Sequence, residues 1–69
     1  GEVRYSSATD ATVFLRLSFM PANVVLNGIL ISPDKNIVAD SYVLRKLGKG
    51  DYAMTIKHGK GDIVIKGRS

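Results

Sequence analysis

Residues 24–43, VVLNGILISPDKNIVADSYV, constrain the fold of this chain more than any other stretch. Two runs rich in Val, Ile and Leu flank Ser32-Pro33-Asp34-Lys35-Asn36. Such side chains suit a pleated, half-buried surface. Pro33 presets φ for the second position of a turn, and Asp34 and Asn36 tolerate turn geometry. The stretch predicts a central β-hairpin, turning at residues 32–36, on which the other strands are laid.

Asn27-Gly28 admits two readings. Between apolar residues, Asn-Gly is a strong signal for a two-residue hairpin. Here that leaves arms of about three residues, short beside the usual five or six. The other reading is one bent strand over residues 24–32, with Gly28 at a bulge or barrel corner. Arm length favours the bent strand.

The neighbouring segments alternate as strands do. In residues 12–20, Val13, Leu15, Leu17 and Phe19 share a face opposite Thr12, Phe14, Arg16 and Ser18. Phe14 interrupts that otherwise polar face, which implies partial cover by a neighbour. Pro21-Ala22-Asn23 then reads as a break. In residues 37–44, Ile37, Ala39, Ser41 and Val43 oppose Val38, Asp40, Tyr42 and Leu44, with Asp40 expected near a rim because a buried carboxylate needs partners. Residues 1–11 read as a flexible segment or an edge strand, and residues 12–69 as a single small β-barrel domain.

The last third contains a short repeat. Gly48-Lys49-Gly50-Asp51 returns as Gly59-Lys60-Gly61-Asp62, and strand-forming residues follow each copy. Gly supplies positive φ and Asp bonds the turn backbone, so each copy reads as turn then strand. The two turns lie at opposite ends of one strand, roughly 20 Å apart. No segment holds a helical period. The expected fold is all-β, a five- to six-stranded, strongly bent sheet or barrel with hairpin connections.

With 69 residues and no cysteine, neither a large core nor a disulfide framework is available. Oligomerisation is the expected remedy, and closure or pairing would hide exposed edges. The absence of cysteine fits a cytoplasmic location. No apolar run approaches the roughly 18 residues of a membrane span, so no membrane partner is expected.

Charge divides along the chain. Residues 1–43 hold Arg4, Arg16 and Lys35 against Glu2, Asp10, Asp34 and Asp40, a balance of −1. Residues 44–69 hold Arg45, Lys46, Lys49, Lys57, Lys60, Lys66 and Arg68 against Asp51 and Asp62, a balance of +5. A basic region of this kind is the footprint expected of a surface that binds phosphate or another polyanion. Tyr42 and Tyr52, near those cations in sequence, are candidates to stack on bases. Enzyme signals are poor. His58 is the single histidine and stands before a glycine turn, where an exposed position is expected. No nucleophile elbow, paired carboxylates or zinc-ligand spacing is present, so neither catalysis nor a metal or cofactor is expected.

Gly28-Ile29-Leu30 with Asp34, and Gly61-Asp62-Ile63-Val64-Ile65-Lys66-Gly67, resemble the two sequence motifs of the Sm-like RNA-binding barrels. Lys57-His58 is similar to a Lys-His pair lining the uridine pocket in the bacterial branch of that family. Asn36 follows Asp34 by two positions, where the family places its Asn after four. The resemblance implies a ring of subunits with RNA at the pore, touching Asn36, Lys57, Lys66 and Tyr42. A second resemblance, of residues 28–43 to the first barrel of the HtrA-type serine proteases, puts Tyr42 at the catalytic His position and implies an inactive fragment. The leading expectation is non-catalytic binding of RNA or another polyanion by a homo-oligomer. The alternative is a structural or protein-interaction module that assembles through strand edges.

Overall fold

Alternation decides which side of each segment is buried, and the turns decide where each strand stops. In the computed structural model, which describes residues 1–36 and 38–68, the strands are β1 (Glu2–Ser7), β2 (Ala11–Leu17), β3 (Met20–Leu26), β4 (Ile29–Pro33), β5 (Ser41–Lys46), β6 (Tyr52–His58) and β7 (Gly61–Arg68). They form one strongly bent sheet in the order β1-β7-β3-β4-β5-β6-β2, curled into a nearly closed barrel. One half is β1-β7-β3-β4 and the other β4-β5-β6-β2, with β4 common to both. Leu17, Phe19, Val24, Leu26, Met54, Ile56, Ile63 and Ile65 fill the space between the halves. Burying each large aliphatic is worth about 1.5–3 kcal/mol, which is how so short a chain holds this shape.

The bent strand expected over residues 24–32 is instead two strands. Asn27 and Gly28 adopt φ of 52° and 81°, both left-handed, as a type I′ hairpin requires. The short arm persists because β3 is gripped on its other edge by β7, from Met20↔Arg68 through Leu26↔Ile63. This turn supplies the seventh strand.

The hairpin predicted across residues 32–36 does not form. β4 and β5 run parallel, paired at Ser32↔Ser41 and Pro33↔Tyr42. Residues 34–40 carry the chain back, so that β5 starts beside the end of β4 and points the same way. Asp34 Oδ1 accepts from Asn36 N at 2.9 Å, Asp40 takes a left-handed φ of 55°, and Ser41 Oγ donates to Val38 O. A strand from residue 37 is also overturned, since β5 starts at Ser41 and Val38 is exposed. Ile37 lies outside the described residues. Tyr42 and Leu44 do face the core, and Asp40 is exposed.

The break expected at Pro21-Ala22-Asn23 occurs earlier, at Ser18-Phe19. Pro21 lies within β3, on a stretch that pairs with β7 but not with β4, so its missing N–H costs no ladder bond there. The register shifts between Pro21 and Asn23, a bulge that bends β3 around the end of the barrel. Residues 1–11 supply an edge strand, since β1 pairs with β7 from Glu2↔Lys66 to Ser7↔Gly61.

His58 corrects another expectation. It continues the inward series Met54, Ile56, His58 on β6 and is 2% exposed. Gly59 O, which only accepts, lies 2.8 Å from Nδ1, so Nδ1 carries the proton. Nε2 is then the acceptor for the Tyr5 hydroxyl at 3.0 Å, a bond that ties β1 to β6 across the barrel. Replacing Tyr5 with Phe is expected to cost about 1–3 kcal/mol, the penalty for leaving a buried acceptor without a donor. Burial raises the Tyr5 phenol above its usual 10.0. The folded state thus favours the neutral phenol, and stability is expected to fall as pH rises past about 10. Thermal melts at pH 8–11 check this: the Phe variant should lose that part of the alkaline slope.

Candidate functional site

Strand register sorts the predicted binding residues into two groups. Arg45 and Lys46 close β5, Lys49 is at the tip of the β5–β6 turn, and Lys66 and Arg68 lie near the end of β7. These positions meet at one end of the barrel. Leu17 stands opposite Tyr52 at the end of β2, and Ser18-Phe19 leads directly to Met20, opposite Arg68. Lys57, His58 and Lys60 are at the other end, around the β6–β7 turn. Asn36, Lys57, Lys66 and Tyr42, which the Sm-like resemblance places at one pore, are divided between the ends within this chain.

The charge follows the same division. At the first end are Arg4 (drawn onto Glu2), Arg16, Arg45, Lys46, Lys49, Lys66 and Arg68 against Glu2 and Asp51, a side-chain balance of +5. The second has Lys35, Lys57 and Lys60 against Asp10, Asp34, Asp40 and Asp62, a balance of −1. Arg16 Nη2 is 2.8 Å from Asp51 Oδ2, and Lys66 Nζ is 3.7 Å from Glu2 Oε1. Arg4, hydrogen-bonded to Glu2, holds that carboxyl below its usual 4.5. Arg45, Lys46, Lys49 and Arg68 make no ion pair among the described residues.

Tyr42 and Tyr52 do not present free rings. Both pack against the core because they alternate in phase with Leu44, Met54 and Ile56. The exposed ring is Phe14, at 76%. It faces outward from β2, opposite Thr55, with nothing among the described residues covering it, contrary to the cover expected from the sequence. Across the outer face of β5, β6 and β2, Arg45, Ala53 and Arg16 form one row and Val43, Thr55 and Phe14 the next. The small Ala53 and Thr55 make the floor of a shallow depression of about 500 Å³. No family model, curated protein or solved structure matches this chain. The functional reading therefore stands on this geometry.

Neither Arg16 nor Phe14 is among the residues that the sequence singles out for a binding surface. Arg16 belongs to the acidic part of the sequence, so summing charge along the chain hides it. Phe14 was visible as a break in the polar face of its strand.

At the opposite end, a depression of about 380 Å³ is lined by Asp10, Ala11, Thr12, Ala39, Asp40, Lys57, His58 and Gly59. Asp40 Oδ1 accepts from Gly59 N at 3.1 Å, and the ring nitrogens of His58 are both engaged. Among the described residues, no three His, Cys, Asp or Glu side chains group as a metal site requires. No helix among them is long and apolar enough to cross a membrane.

Proposed function

We propose that this chain is a non-catalytic binding module for RNA or another polyanion, engaged through the basic end of the barrel. One observation carries the reading: folding gathers seven of the ten Lys and Arg side chains at one end, giving +5 there against −1 at the other. Arg45, Lys46, Lys49 and Arg68 have no carboxylate partner among the described residues and remain available for phosphate. The Sm-like resemblance points to the same class of ligand. Each phosphate contact releases counterions, so affinity should fall steeply with salt. Charge reversal at Lys46 and Lys49 together is expected to lower affinity for a labelled RNA at least tenfold. The log–log salt slope should shrink by about 1.4, near 0.7 per lost single-strand contact. Lys60→Glu, at the far end, should change little. No binding at low salt, or equal losses from both ends, would defeat the proposal.

A second reading, assembly through strand edges, is favoured by the free edges of β1 and β2 and by Ile29 and Leu30, 69% and 63% exposed. Light scattering at increasing concentration tests it, and a monomer throughout would remove it.

A further inference from the structure

The outer face of β5, β6 and β2 combines features that the charge balance alone does not explain. Phe14 exposes most of its ring beside Arg16, two residues along the same strand. Arg16 and Arg45 stand on either side of Ala53, two strand spacings apart, hence about 10 Å. Between them the floor is small, so a flat group has room to lie against Phe14. Asp51 engages Arg16 through Nε and Nη2 on one side, and the Arg16 side chain is still 74% exposed.

We infer that this face is a stacking platform for single-stranded nucleic acid, in which a base lies on the Phe14 ring and Arg16 and Arg45 hold the adjoining phosphates. The inference rests on the polyanion reading and names its ligand class. Charge complementarity selects the occupant: Arg45 lines the depression, Arg16 stands across Ala53 from it, and the nearby carboxylate of Asp51 is already bonded to Arg16. A sulfated polysaccharide would satisfy the cations but leave the ring in water, and a duplex keeps its bases inside the stack. An unpaired base satisfies both. From Thr55 to the β5–β6 turn the platform runs about 13 Å along β6, room for a short site on the order of two or three nucleotides. At that end it opens onto Lys46 and Lys49, so the strand continues onto the basic end.

The chain contains no tryptophan, so Phe14→Trp places a single reporter on the platform. Titration with oligo(U) and oligo(dT) is expected to quench its emission, and the relative affinities show whether RNA or DNA is preferred. Phe14→Ala and Phe14→Leu should each weaken both oligonucleotides about tenfold, in line with the loss of one base–aromatic contact. Heparin affinity should stay unchanged, and the exposed position should leave the thermal midpoint within a few degrees. Unquenched emission at saturation, equal losses for heparin and oligonucleotide, or duplex binding as tight as single strand would each overturn the platform. Capture of an acidic peptide at Phe14 in preference to oligonucleotide would overturn it too. Heparin binding without single-strand binding would reject the platform and keep the polyanion reading, and binding of neither at low salt would reject both.

Discussion

Replacing Gly67 with alanine is expected to destabilise the barrel by about 3 kcal/mol, at the upper end of what overpacking costs. Gly67 stands on β7 opposite Pro21, beside the bulge that brings the β3 backbone inward. A Cβ there would sit 2.0 Å from Met20 O and 2.7 Å from the Phe19 ring. The first obstacle is backbone and cannot rotate away, so β3 and β7 must separate. They hold Val24, Leu26, Ile63 and Ile65, half of the buried core. Stability of roughly 0.05–0.15 kcal/mol per residue gives a domain of this length only about one to three times that loss. Urea unfolding should show the midpoint falling sharply. A change below about 0.5 kcal/mol, the range of ordinary surface substitutions, would mean that the close approach is absent in solution.

The second large effect is expected at Gly61, and the repeat supplies its own control. Gly61 has φ of 140° and lies against the Asn27 amide, which an added Cβ would meet at 2.0 Å. That amide accepts from Asp62 N at 2.9 Å and donates to Lys60 O at 3.1 Å, clamping the β6–β7 turn to the β3–β4 hairpin. Alanine at 61 displaces the clamp, losing two hydrogen bonds of about 1 kcal/mol each, and φ of 140° adds a backbone cost of about 1–3 kcal/mol, since side chains hardly populate that region. Gly50, the corresponding residue of the first copy, has φ of 81° and open space around it. Gly50→Ala should therefore cost about 1–2 kcal/mol, the backbone part alone. Equal losses at the two sites would show that Asn27 does not act as a clamp.

That contrast marks how far the sequence could be read. Two copies of Gly-Lys-Gly-Asp announce two turns, because backbone preference is local. What each turn joins is not local: the first closes the β5–β6 hairpin, while the second carries the chain from one half of the barrel to the other. The same limit applies to residues 32–36, where the turn chemistry is present but the parallel pairing depends on β5 finding the end of β4. Inward residues such as Met54, Ile56, Ile63 and Ile65 were legible from alternation. His58 falls in phase with them, but the hydroxyl of Tyr5 that satisfies its buried ring comes from the distant β1 and no local pattern announces it. Cation clustering was half legible: Arg45, Lys46, Lys49, Lys66 and Arg68 converge, Arg16 joins them from β2, and Lys57 and Lys60 are carried away by the length of β6.

β4 joins the halves through three residue pairs with β3 and two with β5. A seam that short parts before either half melts, so solvent deuterium should reach the amides of Ile29 to Ser32 long before those of Ile63 and Ile65. A ligand that bridged the seam would act as a latch, slowing that exchange without touching the core.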